Sequence, residues 1–236
     1  MPSWKKVLQS GSAVHILNIT ASNIPDMHKP FVLMYNTASG AITYVTHSIP
    51  DLSTTTNVFQ GTIRYFNNAQ TPMTNTTLRL LDSNGGQVTS VITNASGDFN
   101  FGYGRLFGNY YIKVEHNKPW GGVTATDALN ITRHFSATQL LTGINLKAAD
   151  VNKTDTISAT DALQVSQRVA FLRNSFDAGD WVYSITGSGV PPETYWYGNE
   201  PLGLPYTASQ QNINDIVIYT LSVGDVNGSY TPNVNL

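Results

Sequence analysis

Residues 150–163 read Asp150-Val151-Asn152-Lys153-Thr154-Asp155-Thr156-Ile157-Ser158-Ala159-Thr160-Asp161-Ala162-Leu163, and no other stretch constrains this chain as tightly. Counting from Asp150, side-chain oxygens fall at positions 1 (Asp150), 3 (Asn152), 5 (Thr154) and 12 (Asp161), and Thr156 at position 7 offers a backbone carbonyl. Calcium is a hard cation that takes about six to eight oxygens, and a twelve-residue loop of this spacing wraps one. The apolar Ile157 at position 8 is where paired loops of this kind join. Asp161 opens a helix, where its carboxylate meets the positive end of the helix dipole and can act as a cap. These residues predict calcium binding rather than catalysis.

The loop departs from the strict EF-hand pattern at three places: Asp161 replaces the usual Glu at position 12, Thr154 replaces a carboxylate at position 5, and Asp155 stands where Gly normally makes the turn. Fewer carboxylates mean less charge on the ion, so the expected affinity is below that of intracellular sensors. The plainer alternative is a polar turn that caps a helix through Thr160 or Asp161.

A repeat sharpens the reading. Thr124-Ala125-Thr126-Asp127-Ala128-Leu129 recurs 34 positions later as Ser158-Ala159-Thr160-Asp161-Ala162-Leu163, with Val123 matching Ile157. The helices that follow correspond as well, Ala128, Leu129, Ile131 and Phe135 against Ala162, Leu163, Val165 and Val169. Apolar residues at i, i+3 and i+7 predict one buried stripe on each helix, and two such helices should pack face to face. Paired loop–helix repeats with Asp-Val-Asn, an aliphatic residue, two small residues and Asp-Ala-Leu resemble dockerin modules, over about residues 120–173. The resemblance implies two calcium loops, each followed by one helix. It also implies that loop positions 10 and 11, here Ala125, Thr126, Ala159 and Thr160, meet a cohesin-type partner.

The first half of the repeat matches only from its position 8 onward. Counting back from Asp127 as position 12 puts His116 at position 1 and Lys118 at position 3, and neither suits calcium. The chain ends, however, with Gly224-Asp225-Val226-Asn227-Gly228-Ser229-Tyr230, the front of a calcium loop with Asp225, Asn227 and Ser229 at positions 1, 3 and 5 and no position 12 behind it. One fragment lacks its front and the other its back. Joined, they would form a second site from Asp225, Asn227, Ser229 and Asp127, stapling the C-terminus to the helical pair. A half-loop completed by another molecule and a plain Asn-Gly turn remain open beside this reading.

Composition narrows the class. The chain has 236 residues, enough for one to three modules with real cores. Charged residues are 12% and the net charge is −2, so there is no electrostatic footprint for nucleic acid. Cysteine is absent, which removes any disulfide framework and leaves metal as the available staple. No run of about 18 apolar residues is present to span a membrane. Met1-Pro2-Ser3-Trp4-Lys5-Lys6 has no apolar signal core behind it, so the expectation is one section of a larger polypeptide rather than a chain that has lost a leader.

The remainder reads as strands and turns. Segments 13–20, 30–36 and 40–49 are β-rich, with a Ser39-Gly40 turn between the last two. Strands are predicted from Phe59 to Phe66, Thr77 to Leu81, Val88 to Thr93, Ala95 to Phe101 and Gly108 to Val114, with a hairpin turn at Asp82-Ser83-Asn84-Gly85-Gly86. The motifs Gly61-Thr62-Ile63, Leu80 to Gly85, Thr93 to Phe101 and Gly108 to Val114 are similar to transthyretin-like, collagen-adhesin B-type repeats of bacterial surface proteins. That resemblance implies a small β-sandwich acting as a stalk or spacer. Some such repeats carry a Lys–Asn isopeptide bond, but Lys113 has no evident partner and none is expected. Beyond the helical pair, Trp181 to Ile185 and Ile213 to Val223 read as strands; their sequence leaves open whether they form their own sheet or extend the sandwich.

The expected fold is therefore mainly β with a small α part: a transthyretin- or Ig-like β-sandwich plus a dockerin-like pair of loop–helix motifs. The expected divisions are an N-terminal β segment (1–56) that could belong to a preceding module, a sandwich (57–118), the dockerin-like module (119–173) and a C-terminal β segment ending in the half-loop (174–236). Catalytic signals are weak. His15, His28, His47, His116 and His134 show neither zinc spacing nor a triad order, and Glu193 and Glu200 lie in loop-like chain. Tyr195-Trp196-Tyr197, with Trp181 and Tyr206, could stack on sugar rings, although aromatics this large more often anchor a core. The leading functional expectation is a noncatalytic, secreted or cell-surface bacterial assembly module binding two Ca²⁺ and a cohesin-like protein. The rivals are a self-assembling stalk, adhesin or filament subunit rigidified by calcium, and, third, a carbohydrate-binding module.

Overall fold

Strand alternation in residues 59–115 aims every second side chain at one face, and such faces must be covered. The computed structural model describes residues 32–36, 41–45, 59–102, 107–187, 190, 194–200, 204–209 and 213–235. They fall in two units, residues 1–53 and 54–236. In the first, β1 (Val32–Asn36) pairs antiparallel with β2 (Ala41–Val45), Asn36 facing Ala41. The strand expected over 13–20 and the Ser39-Gly40 turn lie outside the described residues.

The second unit carries the remaining elements: β3 (Phe59–Tyr65), β4 (Thr77–Leu81), β5 (Gln87–Ile92), β6 (Asp98–Asn100), β7 (Phe107–Glu115), α1 (Ala125–Phe135), α2 (Gly143–Ala149), α3 (Ala159–Val169), β8 (Trp181–Thr186), β9 (Thr194–Tyr197), β10 (Leu204–Ser209) and β11 (Ile213–Ser222). One sheet has the order β10-β7-β4-β5 and the other β6-β3-β11-β8-β9. The strands beyond the helical pair thus extend both sheets of the sandwich. Strand β11 enters between β3, to which it runs parallel, and β8, to which it is antiparallel. A central strand has both faces covered, and β11 buries Ile216, Ile218 and Thr220 on one side and Leu221 on the other. The mainly-β sandwich with a small helical part expected from sequence is what the structure shows.

Ile63, Tyr65, Leu78, Leu80, Ile112, Ile185 and Ile218 fill one core that continues into the helical pair through Ile131, Val165, Ala148 and Val151. Each fully buried aliphatic side chain contributes about 1.5–3 kcal/mol of transfer free energy. The Asp82–Gly86 turn closes β4 onto β5 as expected, with Asp82 Oδ1 accepting from the Asn84 and Gly86 amides, both at 2.8 Å. Helix α2 has no counterpart in the sequence reading. It is only seven residues long, and its Ile144 and Ala148 are buried while the helix packs on β8 and β11.

Helices α1 and α3 do pack against each other. Their predicted stripes are shorter than expected. Ala128, Ile131, Ala162 and Val165 are buried, but Leu129, Leu163 and Phe135 are exposed. The reason is geometric: a short helix resting on one neighbour buries a narrow seam, and Leu129 and Leu163 lie one residue round from it. Each helix begins with a capping box. The Thr124 and Ser158 side chains accept from backbone amides of the first turn, while Asp127 and Asp161 reach back to the cap backbone.

Candidate metal centre

In the second loop of the repeat, Asp150 and Asp161 form the floor and the intervening chain forms the rim. Both carboxylates are buried, whereas Thr154 and Thr156 are exposed and Asn152 is half-buried, which leaves the loop open to solvent on one side. Asp150 Oδ1 accepts from the Thr154 amide at 2.9 Å and Oδ2 from the Asp155 amide at 3.0 Å. Asp161 Oδ1 accepts from the Val151 and Asn152 amides at 3.1 and 3.4 Å, drawing position 12 under positions 1 to 3. Thr154 Oγ1 donates to Asn152 Oδ1 at 2.7 Å and lies 3.3 Å from the Thr156 carbonyl, so oxygens of positions 3, 5 and 7 converge. Asp155 takes the turn that glycine normally makes by adopting φ 57°, and Lys153 does the same at position 4. An Asp tolerates this region because its short side chain can bond locally; Asp155 Oδ1 also accepts from Lys147 at 3.0 Å.

A similar arrangement recurs between two segments far apart in the sequence. Asp225 Oδ1 accepts from the Ser229 amide at 3.0 Å, Asp225 Oδ2 from the Tyr230 amide at 3.1 Å, and Asn227 Oδ1 from the Ser229 amide at 2.9 Å. Gly228 at position 4 has φ 62°, matching Lys153. The back of the loop comes from α1. Ser229 Oγ donates to the Gly122 carbonyl at 3.0 Å, and Asp127 lies close enough to Asp225 for their charges to interact. Burial pushes the Asp127 carboxyl above its usual range. The hydrogen bonds from Thr124 oppose this, the Asp225 charge adds to it, and the Asn227 amide opposes it. Structure thus brings Asp225, Asn227, Ser229 and Asp127 to one place.

Sequence reasoning overlooked the Gly122 carbonyl, which accepts from Ser229 Oγ. The signal was available, because Gly122 lies 34 positions before Thr156, the offset of the repeat itself. Its φ of +83° and the Asp225 Oδ2 that a Cβ would meet at 2.6 Å explain why the position is glycine.

Two further groups hold these loops from behind. Tyr65 on β3 donates its hydroxyl proton to Asp225 Oδ2 at 2.6 Å, and Tyr197 on β9 has its hydroxyl 3.0 Å from Asp150 Oδ2. Burial, and then the charge of the neighbouring aspartate, push both phenols well above their ordinary range, so both stay protonated donors. Of the aromatic trio, Tyr197 is thus buried against Asp150 and Trp196 is partly buried on the same strand. Glu200 pairs with Lys153 at 2.7 Å, His134 accepts from the Leu141 amide, and His116 lies against Trp181; Glu193, His15, His28 and His47 fall outside the described residues.

The donor set suits a hard divalent cation. Asp127, Asp150, Asp161 and Asp225 are each at most 2% exposed, and among the described residues none of the four is ion-paired. Buried charge without a partner costs several kcal/mol, which a cation between two carboxylates offsets. Asp127 Oδ1 is buried without a well-formed hydrogen bond, an acceptor that a metal would use. Among the described residues no group of three or more His, Cys, Asp or Glu side chains converges. The exposed Ala125, Thr126, Ala159 and Thr160 open the two helices on the side of the loops.

Comparison with known families adds one match: residues 121–170 correspond to the Dockerin type I domain. That segment holds both helices of the repeat, the whole second loop and the back of the first, and the match supports a calcium-binding, protein–protein attachment module. No curated protein and no solved structure matches the chain, and among the described residues no helix is long and apolar enough to cross a membrane.

Proposed function

We propose that this chain is a noncatalytic calcium-dependent attachment module, in which a β-sandwich spacer presents a dockerin-like helix pair to a cohesin-type protein at a bacterial cell surface or in a secreted complex. Two calcium ions order it. One is held by Asp150, Asn152, Thr154, the Thr156 carbonyl and Asp161, and the other by Asp225, Asn227, Ser229, the Gly122 carbonyl and Asp127. The observation that carries the reading is the matching pair of amide bonds, from positions 5 and 6, to Asp150 and to Asp225, the split loop being completed by Asp127, 98 positions before Asp225. Ordered loops fix the starts of α1 and α3, and with them Ala125, Thr126, Ala159 and Thr160, the residues that would touch the partner.

The test is thermal unfolding in excess calcium against chelator, followed by binding to a panel of cohesins. Calcium at about 100 times its dissociation constant adds ~2.7 kcal/mol of stability per independent site. Equal melting temperatures would refute the metal sites. Loss of a calcium-dependent partner in Thr126→Arg/Thr160→Arg, with the melting temperature unchanged, supports docking.

A second reading, an autonomous stalk or filament subunit, is favoured by the dressing of the tail. Asn67 Nδ2 donates to the Tyr230 carbonyl at 2.8 Å, the buried Lys118 Nζ to the Asn233 carbonyl at 2.8 Å, and the Tyr230 hydroxyl to the Pro119 carbonyl at 3.0 Å. In that reading calcium secures the chain to itself, and no cohesin of the panel binds.

A further inference from the structure

Both loops are irregular as calcium ligands. Neither has a carboxylate at position 5, and the split loop has Tyr230 at position 6. What they share lies outside their own sequences: a phenol from one β-sheet behind the carboxylate at position 1. We propose that Tyr65 and Tyr197 are positioning residues for the two calcium ions, so that the sandwich sets the affinity of both loops. This rests on the calcium reading above.

The geometry is parallel in the two places. Asp225 Oδ2 takes the Tyr65 hydroxyl at 2.6 Å and the Tyr230 amide at 3.1 Å; Asp150 Oδ2 takes the Tyr197 hydroxyl at 3.0 Å and the Asp155 amide at 3.0 Å. In each case the same oxygen is tied from both sides, and the other, Oδ1, accepts from the position-5 amide. The carboxylate can then neither rotate nor withdraw. Tyr65 and Tyr197 are themselves fixed, each at most 1% exposed, and Tyr65 Oη accepts from the Ser222 amide at 3.2 Å, three residues before Asp225. Strands β3 and β9 belong to one sheet, with β11 and β8 between them, so a single rigid body aims both aspartates. The two phenols are not equal. Tyr65 directs its proton to one carboxylate oxygen, whereas the Tyr197 proton has three acceptors, the Asp150 side chain and the carbonyls of Asp150 and Lys147, all within 3.2 Å. Removing a group that orients a metal ligand typically weakens metal binding by about 10- to 100-fold. The larger loss belongs to Tyr65.

The experiment measures Ca²⁺ binding by calorimetry in the full chain, using single-site backgrounds. Asp161→Ala leaves the split loop and Asp127→Ala leaves the continuous one. Tyr65→Phe is expected to weaken calcium roughly tenfold or more in the Asp161→Ala background and to leave the Asp127→Ala background unchanged; Tyr197→Phe does the reverse, with a smaller loss. Tyr183→Phe is the control, because its hydroxyl sits 3.2 Å from His116 Nε2, away from both loops, and its loss tests a buried phenol with no part in the loops. Dissociation constants within about twofold of the backgrounds for both tyrosine variants overturn the proposal. So does an equal weakening by Tyr183→Phe, which would mark a general softening of the sheet. If the unsubstituted chain binds no calcium, the calcium reading itself falls, a result separate from normal binding that ignores the tyrosines.

Discussion

The Ser229 hydroxyl donates to the Gly122 carbonyl at 3.0 Å across 107 residues of chain, and its counterpart Thr154 lies 3.3 Å from the carbonyl of Thr156, only two residues away. One relationship is local and the other is made by folding, yet they put oxygen atoms in equivalent places. A calcium ion held at the first loop would join segments 107 residues apart, and would stabilise the folded chain through its affinity for that state alone.

Stoichiometry follows directly. The unsubstituted chain should bind two calcium ions, Asp225→Ala one, and Asp150→Ala one, measured by calorimetry in the presence of a competing chelator. Two ions bound to Asp225→Ala would sink the split loop.

Gly122→Ala should be more damaging than its size suggests. The φ of +83° is strained for any residue with a Cβ, and the added methyl meets Asp225 Oδ2 and the Tyr230 side chain. A loss of about 1–3 kcal/mol is expected in urea unfolding without calcium, together with loss of the ion at the first loop alone.

His116 should give the apo protein an acid-sensitive component away from the calcium loops. Burial, and then the nearby Lys118 charge, lower its pKa from 6.5 to about 4. The folded form holds fewer protons than the unfolded chain between these values. Its contribution is thus complete above about pH 6.5 and is lost as pH falls towards 4. Subtracting the stability-versus-pH curve of His116→Asn from that of the parent, both in chelator, should leave a slope confined to that window, worth roughly 1–3 kcal/mol in all. A flat difference curve would contradict it.

Arg168 binds the back of the helical pair to the route into the tail loop. Its guanidinium lies 3.6 Å from the centroid of Trp120 and 4.5 Å from that of Phe176, and it donates to Asp180 at 2.6 Å. Trp120 Nε1 in turn donates to the Val223 carbonyl at 2.9 Å, two residues before Asp225. Arg168→Ala should cost about 1–3 kcal/mol by thermal melting and weaken calcium more at the first loop than at the second, because its stacking on Trp120 and Phe176 and its bond to the half-exposed Asp180 are both lost.

The exposed Leu129 and Leu163 should behave differently from the seam beside them. Leu129→Asp and Leu163→Asp should shift stability by no more than about 0.5 kcal/mol, whereas Ile131→Ala or Val165→Ala, both fully buried, should cost about 2–4 kcal/mol. If the aspartate variants also lose the cohesin-type partner while the melting temperature holds, the docking face includes these leucines.

Sequence by itself determined what is local. The spacing of Asp150, Asn152, Thr154 and Asp161 and the strand alternation each depend on neighbours within about a dozen positions, where backbone geometry alone sets which side chains meet. Two half-loops with complementary defects could also be recognised, because each fragment showed which positions it lacked. Tertiary structure decided what depends on distant pairings: β11 slotted beside β3, the Gly122 carbonyl brought under Ser229, Leu129 and Leu163 left outside the helix seam, and Tyr65 and Tyr197 placed behind Asp225 and Asp150. No short-range rule specifies those partners, because strand order and the burial of a particular hydroxyl arise only when remote segments share a core.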